Sequence, residues 1–463
     1  MSGKIKRLCI RLIKILNVAL IALPFAVAWW GYYAERTYAP YYAKGNYVVA
    51  ALFVILYVIF AHVYDAFMIS LNRISELIYS QALSAFIADA LMYIVICLLT
   101  KRLPAIWPMI LLFVAQILLS ALWSLSAHQW YFKTHAPKRT GVIYDQREGM
   151  ESLLNEYGLN KKFDVIHIAS VENCINDNME KLKNLEVVFL CGIHSHERNI
   201  ILKYCIMNDV QVYVIPRVGD VIMSGAKQMH MLHLPMLRVN RYAPTAEYRW
   251  AKRIFDVVVC GVALIILSPI MLITAIAIKF TDGGPVFYKQ CRLTQNGKKF
   301  DVLKFRSMRV DAEKDGVARL STGDKDNRVT AVGKIIRKVR IDELPQLINI
   351  IKGDMSIVGP RPERPEIAEQ YEKELPEFAL RLQAKAGLTG YAQVYGKYNT
   401  TPYDKLQMDL MYIAKPSFVE DLRIIMATIK IILIPESTEG VAEGQTTANG
   451  RSKRKVVVAE GEN

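Results

Sequence analysis

An adjacent pair of carboxylates, Asp342 and Glu343, lies in a basic stretch of the chain that includes Arg337. Apolar residues recur at helical spacing directly after the pair. Lys352 followed by Gly353 is typical of a helix end, where a cation in the last turn precedes a glycine. Asp342 stands where the N-cap of this helix is expected, so both carboxylates are predicted at its positive end, a place that also attracts phosphate.

Two further cationic segments flank the pair in the sequence. The segment 359–365, GPRPERP, carries Arg361, and its prolines stiffen the backbone and exclude a regular helix. Upstream, the segment KFRSM carries Lys304 and Arg306. Fixed guanidinium and ammonium groups around two carboxylates suit a polyanionic substrate with a metal ion between like charges. The alternatives are purely structural: a helix cap and its dipole partner for the carboxylates, and a solvated face for the cations.

These motifs together resemble those of the bacterial sugar transferases, the monotopic polyprenyl-phosphate glycosyl-1-phosphate transferases that start exopolysaccharide, capsule and O-antigen synthesis. The resemblance runs from about residue 248 to the apolar C-terminal segment, and three motifs carry it in the family's order: KFRSM at 304–308, DELPQL at 342–347 and KGDMSIVGPRP at 352–362. It implies transfer of a sugar-1-phosphate from a UDP-sugar to undecaprenyl phosphate, with release of UMP, on the cytoplasmic face of the bacterial inner membrane.

The resemblance also implies roles for individual residues. Asp342 would be the nucleophile of a two-step phosphoryl transfer, and Glu343 together with Asp342 would hold Mg²⁺. The substrate phosphates would be bound by four cationic side chains: Lys304, Arg306, Arg337 and Arg361.

The composition restricts the other possibilities. The 463-residue chain is 52% hydrophobic and carries a formal charge of +15, which suits nucleic acid or anionic lipid as a partner. No aromatic-basic interleaving is present, so nucleic acid is not expected. The seven cysteines are scattered without a CxxC, which argues against a disulfide framework or a zinc site. All eight histidines lie between His62 and His233, so the chemistry of the C-terminal half uses no imidazole.

The N-terminal region 1–132 is predicted to be a four-helix transmembrane region. Apolar runs at 15–30, 47–64, 82–99 and 105–125 are each near the roughly 20 residues that a spanning helix needs. The basic N-terminus places the start of the chain in the cytoplasm. Lys101 and Arg102 would then lie outside, against the charge rule, but they are few and in a short turn.

Strand-like and helix-like segments alternate from about residue 141 to 216, which predicts a parallel sheet with covering helices. We assign a Rossmann-like domain to residues 138–240. Its first turn has Gly149 alone and no GxGxxG, so a dinucleotide site is not expected and a regulatory or scaffolding role is preferred. A membrane sensor whose parallel-sheet domain binds a ligand is the alternative function for the whole chain.

The apolar run 254–278 begins the predicted catalytic domain, residues 246–436. Cations flank both of its ends, and Ser268-Pro269 interrupts its middle. We therefore predict a re-entrant membrane helix with its break at Ser268 and Pro269, against the alternative of a fifth spanning helix. The predicted fold is thus an α-helical membrane bundle, a Rossmann-like α/β domain and an α/β monotopic catalytic domain. The tail 437–463 is expected to be disordered, and a homodimer is left open.

Overall fold

The computed structural model describes residues 3–41, 44–145, 149–177, 179–242, 244–309, 328–396 and 401–432. The contacts between residues divide the chain into two compact units, Met1–Ile215 and Pro216–Asn463. The predicted disordered tail, 437–463, lies outside the described residues.

The first unit begins with four apolar helices, each long and apolar enough to cross a membrane, as predicted. They are α1 (Gly3–Ala28), α2 (Lys44–Val63), α3 (Ile74–Leu99) and α4 (Trp107–Thr134), and α1 continues into a π-helical segment, Trp29–Tyr33, and a 3₁₀ turn, Ala34–Arg36.

One polar side chain from each of these helices joins a buried hydrogen-bonded chain. Tyr57 of α2 donates to Asn17 of α1 over 2.8 Å, and Asn17 donates to Gln81 of α3 over 3.1 Å. Ser120 of α4 donates to the same Gln81 oxygen over 2.5 Å. Because apolar contact is a weak driving force between helices in lipid, such links help to select one arrangement of the four helices.

A sheet of four parallel strands completes the first unit, and the predicted alternation of strands and helices is confirmed. The strands lie in the spatial order Phe163–Ser170, Lys138–Tyr144, Val187–Cys191 and Gln211–Val214, so the second strand in the chain is at the edge next to the first. This is the flavodoxin-like order and differs from the Rossmann order. The elements are β1 (Lys138–Tyr144), α5 (Met150–Glu156), β2 (Phe163–Ser170), α6 (Val171–Asp177), β3 (Val187–Cys191), α7 (Ser195–Met207) and β4 (Gln211–Val214), with 3₁₀ turns at Leu159–Lys161 and Met179–Asn184.

The second unit begins earlier than the sequence predicts. Helix α8 (Val218–Ser224) and the hairpin of β5 (Lys227–Met231) and β6 (Leu234–Arg238), which we assigned to the middle domain, belong to the second unit. Val221 is 2% exposed within its core, and the Gln407 amide donates to the Pro216 carbonyl. The segment 216–242 is therefore bound to the unit that follows it in the chain.

Helix α9 (Ala246–Asp282) is helical over all 37 residues with Pro269 inside it, and the predicted break at Ser268 and Pro269 stays a prediction. Pro269 has no N–H to donate to the carbonyl of Ile265, the acceptor one turn earlier. The Ser268 hydroxyl donates to that carbonyl over 2.8 Å. The helix continues through the proline because the acceptor left without its backbone donor is satisfied by a neighbouring side chain.

The remaining elements form the α/β part of the second unit. A hairpin turns around Asn296-Gly297, a dipeptide typical of tight turns, and two short strands, Ser356–Val358 and Gly387–Thr389, pair in parallel. The elements are β7 (Phe287–Leu293), β8 (Lys299–Phe305), α10 (Ala331–Lys338), α11 (Gln346–Lys352), β9 (Ser356–Val358), α12 (Pro365–Glu374), β10 (Gly387–Thr389), α13 (Tyr391–Tyr395), α14 (Pro402–Ala414) and α15 (Phe418–Ile432), with 3₁₀ turns at Gln295–Gly297, Ile341–Glu343 and Pro376–Gln383.

Both ends of α9 are attached to this part. Near its N-terminal end, Arg253 donates to the last carbonyls of α11, those of Ile350 and Ile351, over 2.6 and 2.7 Å. One turn later, Asp256 accepts a hydrogen bond of 2.7 Å from Ser356 of β9. Near the other end, Ile278 is 3% exposed in a cluster with residues of β8 and α10. Several side chains in the middle of α9, in contrast, are largely exposed, among them Ile265, Ile266 and Ile273.

The position of the boundary predicts how truncation affects stability. A chain that begins at Pro216 should keep the unfolding temperature of the second unit, whereas one that begins at Ala246 loses α8. Burial of Val221 contributes about 2 kcal/mol, and 1 kcal/mol corresponds to roughly 2–4 °C in a domain of this size. We therefore expect the shorter chain to melt at least about 4 °C lower in a thermal unfolding assay. Equal melting temperatures would contradict the boundary.

Candidate active site

The side chain of Glu343 is the centre of a charged cluster and is 14% exposed. Its Oε1 atom accepts from Lys304 Nζ over 3.0 Å and from Arg361 Nη2 over 3.1 Å. Its Oε2 atom lies 3.7 Å from Arg340 Nη1. These three cations come from β8, from the loop after β9 and from the turn that precedes Glu343.

The strand that carries Lys304 is tied to the helix that follows the carboxylates. Asn349 of α11 accepts from the backbone N–H of Leu303 over 2.9 Å and donates to the carbonyl of Asp301 over 2.8 Å. Asn349 is 2% exposed. This amide occupies both a donor and an acceptor of β8, so the distance from β8 to α11 is set by hydrogen bonds next to the cluster.

The backbone before α11 differs from the prediction. Asp342 is not the N-cap of α11, because it lies in the 3₁₀ turn Ile341–Glu343 and the helix begins only after Pro345. The turn starts at Arg340, whose φ of 55° is in the left-handed region that residues other than glycine rarely occupy. The predicted end of the helix is confirmed: Gly353, at φ 96°, follows the last helical residue.

The two neighbouring carboxylates have different protonation properties. Burial by itself would raise the pKa of Glu343, but the charges of Lys304, Arg361 and Arg340 outweigh it and lower that pKa well below its usual range. Burial and the neighbouring charge of Glu343 raise the pKa of Asp342 to about 6, against the opposing charges of nearby cations. Glu343 is thus a permanent anion, whereas Asp342 titrates close to neutral pH.

The loop 359–364 is not helical, as predicted, and close packing fixes its first residues. A Cβ atom on Gly359 would overlap the carbonyl oxygen of Lys385. The backbone N–H of Gly387 donates to the carbonyl of Pro360 over 2.9 Å. The segment that leads into β10 therefore lies directly against the loop backbone.

A side chain holds the next residue of the loop. Arg381 is 2% exposed, and its Nη2 atom donates to the carbonyl of Arg361 over 2.9 Å. Together with the contact at Pro360, this hydrogen bond fixes the loop backbone at two successive residues. The guanidinium of Arg361 is therefore presented to Glu343 from a fixed position.

A buried network of charges lies behind this loop, and sequence reasoning did not predict it. Glu363 accepts from Lys405 over 2.9 Å and lies 3.5 Å from Arg381, which in turn binds Asp409 over 2.6 Å. Burial by itself would raise the pKa of Glu363, but the charges of Lys405, Arg381 and Arg292 lower it to about 2. Nothing local to the sequence indicates these pairs, because their members are far apart along the chain.

The structure brings together most of the residues predicted for the site. Lys304 and Arg361 contact Glu343 directly, and the charge of Arg337 acts on Asp342. Arg306 is 7% exposed, and its backbone N–H continues the pairing of β8 by donating to Val286. Ser268 and Pro269 lie within α9. Sequence reasoning left Arg340 and Asn349 out of the predicted site, although Arg340 stands close to the pair in the sequence.

The donor set is compatible with Mg²⁺ only if the substrate supplies further ligands. Among the described residues, no group of three or more His, Cys, Asp or Glu side chains is placed to hold a metal ion. Within that same part of the chain, the Asp342 carboxylate has no hydrogen-bond or ion-pair partner, whereas Glu343 has three cationic neighbours. Mg²⁺ commonly takes one or two carboxylates together with substrate phosphates and waters. Asp342 is thus the more open oxygen donor of the pair.

Comparison with known proteins gives a consistent result. The family described as bacterial sugar transferase matches residues 247–435. A UDP-N-acetylgalactosamine-undecaprenyl-phosphate N-acetylgalactosaminephosphotransferase of Aeromonas hydrophila is 37% identical over 235 residues, which are 50% of this chain and 54% of that protein.

Several relatives carry the name UDP-glucose:undecaprenyl-phosphate glucose-1-phosphate transferase. The protein of Caulobacter vibrioides is 39% identical over 206 residues, which are 43% of this chain and 76% of that protein. The protein of Escherichia coli is 32% identical over 300 residues, which are 64% of this chain and 60% of that protein. The chain therefore spans little more than half the length of some relatives and three quarters of another.

The opposite pKa shifts of the two carboxylates predict opposite effects on stability. Ionised Asp342 costs stability above pH about 6, because its pKa is higher in the folded chain, so Asp342→Asn should raise the unfolding temperature at pH 7.5. Ionised Glu343 stabilises the folded chain at every pH above its ordinary pKa. This stabilisation is lost as the pH falls through the lowered pKa of the folded chain. Glu343→Gln should therefore cost about 3 kcal/mol at pH 7.5, as when one member of a buried ion pair is removed.

The matched control is Glu369→Gln. The side chain of Glu369 is 73% exposed in a surface ion pair with Lys373, so this substitution should change the unfolding temperature little. Thermal unfolding at pH 7.5 and at pH 4 measures all three variants. The gain in Asp342→Asn should shrink at pH 4, whereas the loss in Glu343→Gln should largely persist, because the pKa of folded Glu343 lies well below its usual range. A lower unfolding temperature for Asp342→Asn than for Glu343→Gln at pH 7.5 would contradict the assignment.

Proposed function

Because the chain belongs to the bacterial sugar transferase family, we propose that it transfers a sugar-1-phosphate from a UDP-sugar to undecaprenyl phosphate and releases UMP. This is the first membrane step in the synthesis of an exopolysaccharide, capsule or O-antigen repeat unit. The observation that carries the proposal is an open carboxylate, Asp342, next to a second carboxylate that holds three cations in place.

The proposed reaction has two displacements at phosphorus. A carboxylate oxygen of Asp342 attacks the phosphorus next to the sugar, and the bond from that phosphorus to the bridging oxygen breaks, so that UMP leaves with the bond's electron pair. A phosphate oxygen of undecaprenyl phosphate then attacks the same phosphorus. The acyl-phosphate bond to Asp342 breaks, and the free carboxylate is restored with undecaprenyl-diphosphate-sugar as the product.

The cations around Glu343 suit the charge that such a reaction must handle. Lys304 and Arg361 donate to Glu343, the residue after Asp342, and are held there in fixed positions. They therefore need no rearrangement to face a diphosphate. A Mg²⁺ ion held by the carboxylate pair, with Asp342 as its more open donor, would neutralise further phosphate charge. Glu343 would also keep Lys304, Arg340 and Arg361 in place when no substrate is bound.

The attachment of α9 supports a re-entrant arrangement, with the catalytic unit on the cytoplasmic side of the inner membrane. Arg253 and Ile278, near opposite ends of the helix, both contact the same α/β core. A helix that crossed the bilayer would carry these two positions to opposite faces, roughly 30 Å apart. Between them, Ile265 and Ile273 are 77% and 67% exposed, which suits contact with lipid.

The alternative function, a membrane sensor with a ligand-binding sheet domain, is less well supported. It leaves the convergence of Lys304, Arg340 and Arg361 on Glu343 without a role. We therefore keep a regulatory or scaffolding role for the parallel-sheet domain, within an enzyme.

The nucleophile can be tested by Asp342→Asn, because an amide cannot form the acyl-phosphate. UMP release from UDP-sugars should fall at least about 10³-fold, whereas Glu369→Gln should retain normal turnover. In the unmodified protein, kcat/KM should decline as the pH falls below about 6, because protonation removes the attacking carboxylate. Near-normal UMP release by Asp342→Asn would remove Asp342 from this role.

Metal dependence is a second test. Two carboxylates beside a diphosphate repel it unless cations compensate, so UMP release should be lost in EDTA and return when Mg²⁺ or Mn²⁺ is added in excess. Full turnover after thorough chelation would show that the cations of the protein suffice and would exclude a metal role for the pair.

The topology of α9 can be tested by cysteine labelling. In a chain without its native cysteines, Trp250→Cys and Phe280→Cys place thiols at positions that are 71% and 87% exposed, near the two ends of the helix. A membrane-impermeant maleimide should label both from the cytoplasmic side only, and Ile265→Cys should stay unlabelled because lipid covers it. Labelling of the two end positions from opposite sides would reject the re-entrant arrangement.

A further inference from the structure

A cavity of about 190 Å³ lies in the second unit, and none of its lining residues belongs to the carboxylate site. One wall is formed by α8, the two-stranded hairpin and the residues up to Tyr242. The other wall is formed by α14, Pro416 and Gln383, the last residue of a 3₁₀ turn. Ile222, Leu410 and Ile413 supply apolar surface.

The charged lining of this cavity is entirely positive. Lys227, Arg238 and Arg241 line it together with no aspartate or glutamate. Lys227 and Arg238 are direct partners across the hairpin, an arrangement in which like charges destabilise a strand pair. Within the described ranges, none of the three forms an ion pair with a carboxylate, although Arg241 donates to the Asn296 amide over 2.9 Å. The sequence therefore places two repelling cations opposite each other beside a cavity.

Backbone contacts hold the two walls together. A Cβ atom on Gly225 would overlap the carbonyl oxygen of Ala414, so α8 and α14 meet there without room for a side chain. Tyr242 N donates to the Gln383 side chain over 3.0 Å. The cavity thus lies between two segments that are held together, it is open to solvent, and Lys227, Arg238 and Arg241 on one of its walls are exposed.

We propose that this cavity binds a phosphate-bearing anion between Lys227, Arg238 and Arg241. Its volume corresponds to about six water molecules, which suits a phosphate or diphosphate group. Guanidinium and ammonium groups are the usual partners of phosphate oxygens, and a bound anion would remove the repulsion between Lys227 and Arg238. The same chemistry is offered by soluble phosphates and by anionic lipid headgroups.

Residue-resolved lysine modification tests the proposal independently of catalysis. The full-length chain in nanodiscs of phosphatidylcholine is treated with an acylating reagent at increasing concentrations of inorganic pyrophosphate, and mass spectrometry follows each lysine. We expect at least a fivefold slower modification of Lys227. Lys373, which is 72% exposed on α12, is the internal control and should keep its rate. Equal protection of both lysines would indicate general ion pairing and overturn the proposal.

A second arm distinguishes the source of the phosphate. Nanodiscs that contain phosphatidylglycerol, without pyrophosphate, should protect Lys227 if a lipid headgroup is the ligand, whereas protection by pyrophosphate in phosphatidylcholine identifies a soluble anion. Arg238→Gln should abolish the protection of Lys227 in whichever arm shows it, and the matched variant Lys299→Gln, on β8, should not. Absence of Lys227 protection in both arms would overturn the proposal. Protection of Lys227 that changes with the protein concentration and not with the anion would overturn it as well.

Discussion

The neutralisation of Glu343 is the constraint on which the catalytic half depends. A buried carboxylate costs several kcal/mol unless opposite charges and hydrogen bonds compensate it. Its partners, Lys304, Arg340 and Arg361, come from separate segments that must converge before the charge can be buried. The same convergence places Lys304 and Arg340 near Asp342, whose pKa is raised to about 6 by burial and by the charge of Glu343. The contacts that stabilise the folded chain are therefore the same ones that position the cations for the proposed reaction at phosphate.

Side chains that hydrogen-bond to backbone atoms determine the spacing around this cluster. Asn349 sets the distance from β8 to α11, and Arg253 ties α9 to the end of α11. Arg381 holds the backbone at Arg361 while its own charge is balanced by Asp409. Such contacts are rigid because each buried polar group has a defined geometry. Together they connect α9 to the position of the carboxylates.

Features that depend on local order along the chain were predictable from the sequence. The four apolar helices follow from run length, the parallel sheet from alternating patterns, and the hairpin before Lys304 from Asn296-Gly297. The end of α11 at Gly353 follows from glycine's access to positive φ. The motifs around Asp342 indicated the family and most of the charged residues of the site. In each case the signal lies within a few residues of the feature that it predicts.

The tertiary structure alone decided which distant groups meet. The left-handed turn at Arg340 moved Asp342 out of the N-cap position, and packing on α14 assigned the segment 216–242 to the second unit. In α9, the hydroxyl of Ser268 satisfies the Ile265 carbonyl to which Pro269 cannot donate, a rotamer that composition cannot specify. The partners Arg381 and Asp409 belong to no local pattern. Motifs thus determined the chemistry of this protein, whereas the distances between its charges required long-range contacts, because a sequence records residue types and not the distances that folding imposes.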